Sequence, residues 1–198
     1  MIGRKLLAGI ALLAACGGPL PPTKYYRLAP PPAEAPAGDG PVLVVEELHA
    51  VPLFDDTRIV YRESTLRSAY YPYQRWAADP GRMVAEFMRE AYAGTGCFSR
   101  VAAEADPDAM AILGGRVIEI EEVDVAPGRW IAQVELELVL RDPDSDRVVW
   151  SKHVHEAEPL RERNVDALAA AMSRALARVV DRTASEIADA SRGASTTP

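Results

Sequence analysis

The chain of 198 residues carries 22 Lys and Arg against 29 Asp and Glu, a formal charge of −7. That balance argues against a general nucleic-acid binder, which needs clustered cations to meet phosphates. The length suits one ordinary domain with a real core, and two cysteines exclude a disulfide-stapled scaffold.

The N-terminus has a basic start (Arg4, Lys5), an apolar stretch (Leu6 to Leu13) and small residues before a lone cysteine. This reads as an export signal, and the apolar run is too short to cross a bilayer, which takes about 20 residues. Leu13-Ala14-Ala15-Cys16 resembles the bacterial lipobox. In signals of that type a peptidase cuts before the cysteine, which becomes the acylated first residue. Residues 1–15 are then a signal peptide and Cys16 the lipidation site. Their removal leaves 183 residues and, because Arg4 and Lys5 leave without any acid, takes the charge from −7 to −9. So acidic a body needs the lipid to hold it at a membrane. Cys97 is left without a partner and is expected to be a buried, inert thiol between Gly96 and Phe98.

Residues 16–41 read as a lipidated, Pro/Gly-rich tether. Within it Lys24-Tyr25-Tyr26-Arg27-Leu28 has the composition of a short strand, and 29–41 that of a semi-rigid spacer. The folded body is expected over 42–190. Val42 to Leu48 is apolar and β-branched, Arg58 to Arg62 is a second strand, and Thr65 to Trp76 a third, less regular one. Asp79-Pro80-Gly81 starts a helix with Asp79 as N-cap and Pro80 in the first turn, and Gly94 and Gly96 end it. Phe98 to Ala102 is a short strand. Ala111 to Val125 is a long one interrupted at Gly114-Gly115, by a bulge or a close approach. Trp130 to Leu140 alternates apolar and polar residues, the pattern of a half-buried antiparallel strand, and Arg147 to Glu156 pairs back on it. Val165, Leu168, Met172, Leu176, Val179, Thr183 and Ile187 form the stripe of a final amphipathic helix, and 191–198 reads as a disordered tail. The sum is one α+β domain: an antiparallel-rich mixed sheet with two amphipathic helices packed on it.

Catalytic constellations are weak. There is no Gly-rich phosphate loop, no HExxH and no GxSxG. His153 and His155 share a strand face opposite Glu135 and Glu137, but a solvated hairpin face explains them better than a metal. His49 stands alone in a loop, and Asp55-Asp56 is a turn. Glu46-Glu47 and Glu121-Glu122 point to opposite sheet faces, so neither pair serves one site. No metal and no cofactor is expected beyond the covalent lipid, and no enzyme. One segment asks for more. Residues 58–76 hold Tyr61, Tyr70, Tyr71, Tyr73 and Trp76 among Arg58, Arg62 and Arg75, the residue types of interface hot spots. Strand alternation places Tyr71, Tyr73 and Arg75 on one face, with Arg58 and Tyr61 nearby as further partner-binding candidates and Trp76 turned to the core. Stacking across paired strands is the competing explanation.

Cys16 in its lipobox, Tyr25-Tyr26-Arg27-Leu28, Asp56-Thr57-Arg58-Ile59-Val60-Tyr61-Arg62, Tyr73-Gln74-Arg75-Trp76-Ala77 before a helix, Gly96-Cys97-Phe98-Ser99-Arg100-Val101 and the final helix together resemble the ABC-type transport auxiliary lipoproteins, which include the paraquat-inducible protein C. The resemblance implies an α+β fold similar to the N-terminal domain of the translocation protein TolB. It implies an outer-membrane lipoprotein facing the periplasm, a docking or structural subunit working with an ABC transporter and a mammalian-cell-entry (MCE) domain protein in intermembrane lipid transport. Gly17, not Asp, after the cysteine points the same way under the usual sorting rule. The alternative is a periplasmic lipoprotein whose own groove holds a lipid or another amphiphile. Homo-oligomerisation is left open.

Overall fold

The computed structural model describes residues 20–33 and 37–194. Cys16 and the signal segment lie outside them, as does 195–198. Among the described residues nine strands form one mixed sheet: β1 (Lys24–Tyr26), β2 (Val42–Val45), β3 (His49–Ala50), β4 (Arg58–Ser64), β5 (Arg67–Trp76), β6 (Arg100–Ala102), β7 (Ala109–Ala126), β8 (Arg129–Arg141) and β9 (Val148–Pro159). The helices are α1 (Pro80–Ala93) and α2 (Val165–Ala194).

β7 is the spine. Along one flank it pairs antiparallel with β8 over nearly its full length, and β9 closes that side against β8. Along the other flank β2, β3 and β4 line up parallel to it, one after another. β5 returns antiparallel on β4, β1 adds parallel to β5, and β6 parallel to β2. The long pairings are antiparallel and the short ones parallel. His49 is therefore in a two-residue strand, exposed, and not in a free loop.

The period-2 pattern of β8 holds: Ala132, Val134, Leu136, Leu138 and Leu140 are fully buried. They face the stripe of α2, where Leu168, Met172, Leu176 and Ile187 are equally buried. Asp79 caps α1 by accepting the Arg82 N–H at 3.0 Å, with Pro80 in the first turn as expected. Trp76 is fully buried and Tyr92 packs edge-on against Phe98, its hydroxyl bonded to that of Thr183 at 2.7 Å. Trp130 stays half-buried at the rim.

Gly115 is a close approach. Its φ is +145°, and a Cβ there would lie 2.0 Å from the Glu137 carbonyl oxygen, while the register runs unbroken through Gly114↔Val139 and Gly115↔Leu138. The irregularity comes two residues later. Ile118 is extra between Val117↔Leu136 and Glu119↔Glu135, and this bulge turns Glu119 and Glu121 to the open face and Ile120 and Glu122 to the helix face.

Three expectations need correction. The body does not begin at Val42. β1 is part of the sheet, Leu28 is buried, the Ala29 N–H donates to Ser173 Oγ at 3.1 Å, and the Gly38 N–H donates to the Phe98 carbonyl at 3.0 Å. The described parts of the Pro-rich stretch, 29–33 and 37–41, are thus strapped onto the domain instead of standing off as a spacer. Gly40 lies so close that a Cβ would meet the Cys97 carbonyl at 1.8 Å. Nor does the tail begin at 191: α2 runs on to Ala194, because Ser191 continues the buried stripe and donates its hydroxyl to the Ile187 carbonyl at 2.7 Å. Cys97, finally, is half-buried and lines a groove, since the loop that carries it packs on the strap by its backbone and leaves the side chain at the rim.

Candidate functional site

The residues singled out between 58 and 76 do not form one face. β5 is bulged against β4: the partner jumps from Tyr70 to Arg75 while β4 moves only from Val60 to Arg58. Arg58 lies on the open side. Its guanidinium stacks 3.8 Å from the Tyr70 ring centroid and pairs with Asp56 at 2.6 Å, which pulls the Asp56 carboxyl below the usual range. Asp56 also accepts the Arg58 N–H, the turn expected there.

Tyr61 and Tyr71 meet on the helix side with ring centroids 5.0 Å apart. The Tyr71 hydroxyl donates to Glu122 Oε2 at 2.8 Å. Glu122 is fully buried. Arg163, in the loop before α2, supplies the opposing charge: Nε lies 3.3 Å from Glu122, another nitrogen 2.8 Å from Asp124, and the guanidinium 5.4 Å from the Trp130 ring. Burial raises the Glu122 carboxyl above the ordinary range, opposed by Tyr71 and Arg163. Burial, with the hydrogen bond to Glu122, raises the Tyr71 phenol strongly. The arrangement is a clamp: a buried carboxylate holds a tyrosine from β5 and an arginine from the loop into α2, fastening the start of α2 to the sheet.

Arg75 turns back, donating to the Tyr71 carbonyl at 2.8 Å and the Gln74 carbonyl at 2.9 Å. Tyr73 is half-buried beside it. Of the five partner-binding candidates, the structure therefore joins Tyr61 to Tyr71 and Arg75 to the Tyr71 backbone, and sets Arg58 apart. It leaves Tyr73 and Arg75 as the pair outside both stacked groups.

On the opposite face a second buried acid, Glu121, is only 3% exposed. Arg62 Nε stands 2.9 Å from it and also reaches Glu119 at 3.6 Å. Burial, with Glu119 alongside and only Arg62 opposing, pushes the Glu121 carboxyl up to about 7. Glu121 and Glu122 do serve opposite faces, as alternation requires. Sequence reading missed that both are buried, each against an arginine of another element. Three glutamates set among the β-branched residues of Val117 to Val123 were the available signal. His153 Nε2 lies 2.7 Å from Glu135 and is exposed on the same open face. Among the described residues no group of three or more His, Cys, Asp or Glu side chains is placed to hold a metal.

The model of one protein family, described as the ABC-type transport auxiliary lipoprotein component, matches residues 26–184. The chain belongs to this family. The family match begins at Tyr26, inside β1, so it includes the strapped segment as well as the sheet and both helices. The fold is shared with protein XCC0632 from Xanthomonas campestris at 24% identity and a TM-score of 0.72, covering 88% of this chain and 99% of that one. An uncharacterized protein of known structure is similar at 15% identity and a TM-score of 0.69, covering 84% and 99%. Lipoprotein GNA1162 from Neisseria meningitidis is a more distant likeness, with 13% identity, a TM-score of 0.41 and coverage of 78% and 99%. No curated protein matches the sequence.

Proposed function

We propose that the protein is a lipid-anchored docking subunit, acylated at Cys16 and held at the outer membrane facing the periplasm, of an ABC-transporter system that moves lipid between membranes with an MCE-domain protein. The observation that carries the docking role over a lipid-carrying one is the filled interior. Leu136, Leu138 and Leu140 of the sheet and Leu168, Met172 and Leu176 of α2 are all without solvent contact, leaving no acyl-sized space between the layers. Two grooves of about 570 and 610 Å³ flank the strap, and both are open and mixed in character. The first is rimmed by Arg27, Arg82, Glu86 and Glu90, a poor lining for an acyl chain. Nothing in the site argues for catalysis: its acids are tied to arginines that brace elements, and no nucleophile stands beside a base.

Tyr73 and Arg75 are the docking residues in this reading, while Tyr61, Tyr71 and Arg58 brace the strands that present them. The test is crosslinking in envelope membranes, purification through a tag on this subunit, and extraction of its lipids. Recovery of MCE-domain and ABC-transporter subunits, with no lipid beyond the covalent anchor, is the expected result. Stoichiometric free lipid without those partners would overturn the docking role in favour of a carrier.

A further inference from the structure

The tether and the sheet set the orientation of the domain at the membrane. β4 and β7 are parallel, so their hairpins, β4–β5 and β7–β8, project from the same end of the sheet. Arg62 pairs with Val123. Four residues beyond each lie Leu66 and Pro127, so the two apices end at one level. The turn between β8 and β9, around Ser145, is at the opposite end. β1 runs parallel to β5, so the chain entering Lys24 comes from the hairpin end.

The lengths then nearly coincide. Tyr25, Arg75 and Arg58 are at one level. From Arg58 the β4–β5 apex is seven to eight residues away, about 23–26 Å of strand. Cys16 is nine residues before Tyr25, a length of about 28 Å in polyproline form and about 32 Å at full extension. An acylated Cys16 therefore reaches less than about 10 Å past the apices even with the tether drawn straight, and modest slack brings both apices to the plane of the lipid.

Their composition suits that plane. Leu66 is 95% exposed, the most exposed large apolar residue of the domain, and Val125 and Pro127 are exposed on the second hairpin. Arg67 and Arg129 are exposed beside them, and Trp130 is half-buried just behind; Arg67 also reaches back to Glu63 at 2.5 Å. In so acidic a chain no Asp or Glu stands between Ser64 and Arg67, or between Val125 and Trp130. Apolar tips flanked by Arg and Trp are the chemistry of a bilayer interface. We infer that the two hairpin apices, led by Leu66 and Val125, rest in the headgroup region of the membrane that holds the anchor, so that the strands stand on the bilayer and the β8–β9 turn points away from it.

This rests on acylation of Cys16, and the experiment separates the two. The full lipoprotein, with Cys97→Ser, carries an environment-sensitive fluorophore at Leu66→Cys or, as a control, at Ser145→Cys. It is reconstituted into vesicles of phosphatidylethanolamine and phosphatidylglycerol containing a spin-labelled lipid. Mass spectrometry and flotation first establish whether the acyl chains are present. The expected result is a blue shift and several-fold stronger quenching by the spin-labelled lipid at position 66 than at 145. An acylated, floating protein with equal, weak quenching at both positions overturns the orientation and leaves the anchor standing. Shielding of position 66 from aqueous iodide without quenching from the lipid would mean a protein contact, which overturns it as well. A protein without acyl chains removes the anchor and the orientation together.

Discussion

Replacing Glu121 by Gln should stabilise the protein, and only above a definite pH. The side chain is 3% exposed, faces one cation, Arg62, and sits beside Glu119. Its carboxyl stands at about 7 instead of the ordinary 4.5. The folded protein keeps this proton up to near pH 7, whereas the unfolded chain releases it near 4.5. Between those values the folded state binds more protons, so acidification strengthens the fold and rising pH weakens it through this group. Each pH unit of displacement corresponds to about 1.4 kcal/mol, so the ionised carboxylate costs the folded state up to about 3 kcal/mol above pH 7. Glutamine has nearly the shape of the protonated acid and no charge to bury. Urea denaturation of the natural protein and Glu121→Gln at pH 5 and pH 8 is the assay. The variant should be more stable by roughly 1–3 kcal/mol at pH 8 and nearly equal at pH 5. Glu122, also raised, titrates in both proteins and cancels. A difference that is constant across the range, or a loss of stability at pH 8, would refute the reasoning and assign Glu121 as a net favourable ion pair.

Leu176→Ala should cost about 2–5 kcal/mol, read as a drop in thermal midpoint, because the side chain is fully buried between α2 and the sheet. Gly115→Ala should fail to reach the natural midpoint by a similar margin, since the added methyl meets the Glu137 carbonyl, whereas Gly128→Asn, at φ +75° with open space, should be tolerated in the same melt. The double variant Tyr73→Ala/Arg75→Ala should stay folded by circular dichroism and lose about 2 kcal/mol or more of partner binding; undiminished capture would move the docking surface elsewhere. Cys97 should react with a thiol reagent in the native protein, more slowly than after denaturation, and complete protection would contradict its place at the groove rim.

Local signals carried most of the fold. The Asp79-Pro80 start of α1, the alternation from Trp130 to Leu140 and the stripe from Val165 to Ile187 each announce one element through its own period or cap, and each is present. What sequence alone could not supply is where long-range pairing redirects a side chain. Strand alternation predicts one face for Tyr71, Tyr73 and Arg75, and the bulge in β5 breaks that grouping. Arg163 reaches Glu122 from 41 residues away, and no local pattern marks a loop arginine as the partner of a buried acid. The strap was misread for a related reason. Its prolines and glycines look like a spacer, and only the fold shows that Gly38 and Gly40 are small because another backbone lies against them.

The strap also determines how the molecule carries load. A pull on the N-terminus acts along β1, parallel to the strands, so the hydrogen bonds pairing Lys24, Tyr25 and Tyr26 with β5 are stressed together in shear instead of opening one by one. Behind them the Ala29 bond to Ser173 and the buried Leu28 pass the force into α2, the last element of the chain. The first strand and the last helix of the described residues are thus mechanically joined, and tension applied to the N-terminal segment is carried into the core, with the short β1 pairing as the fuse.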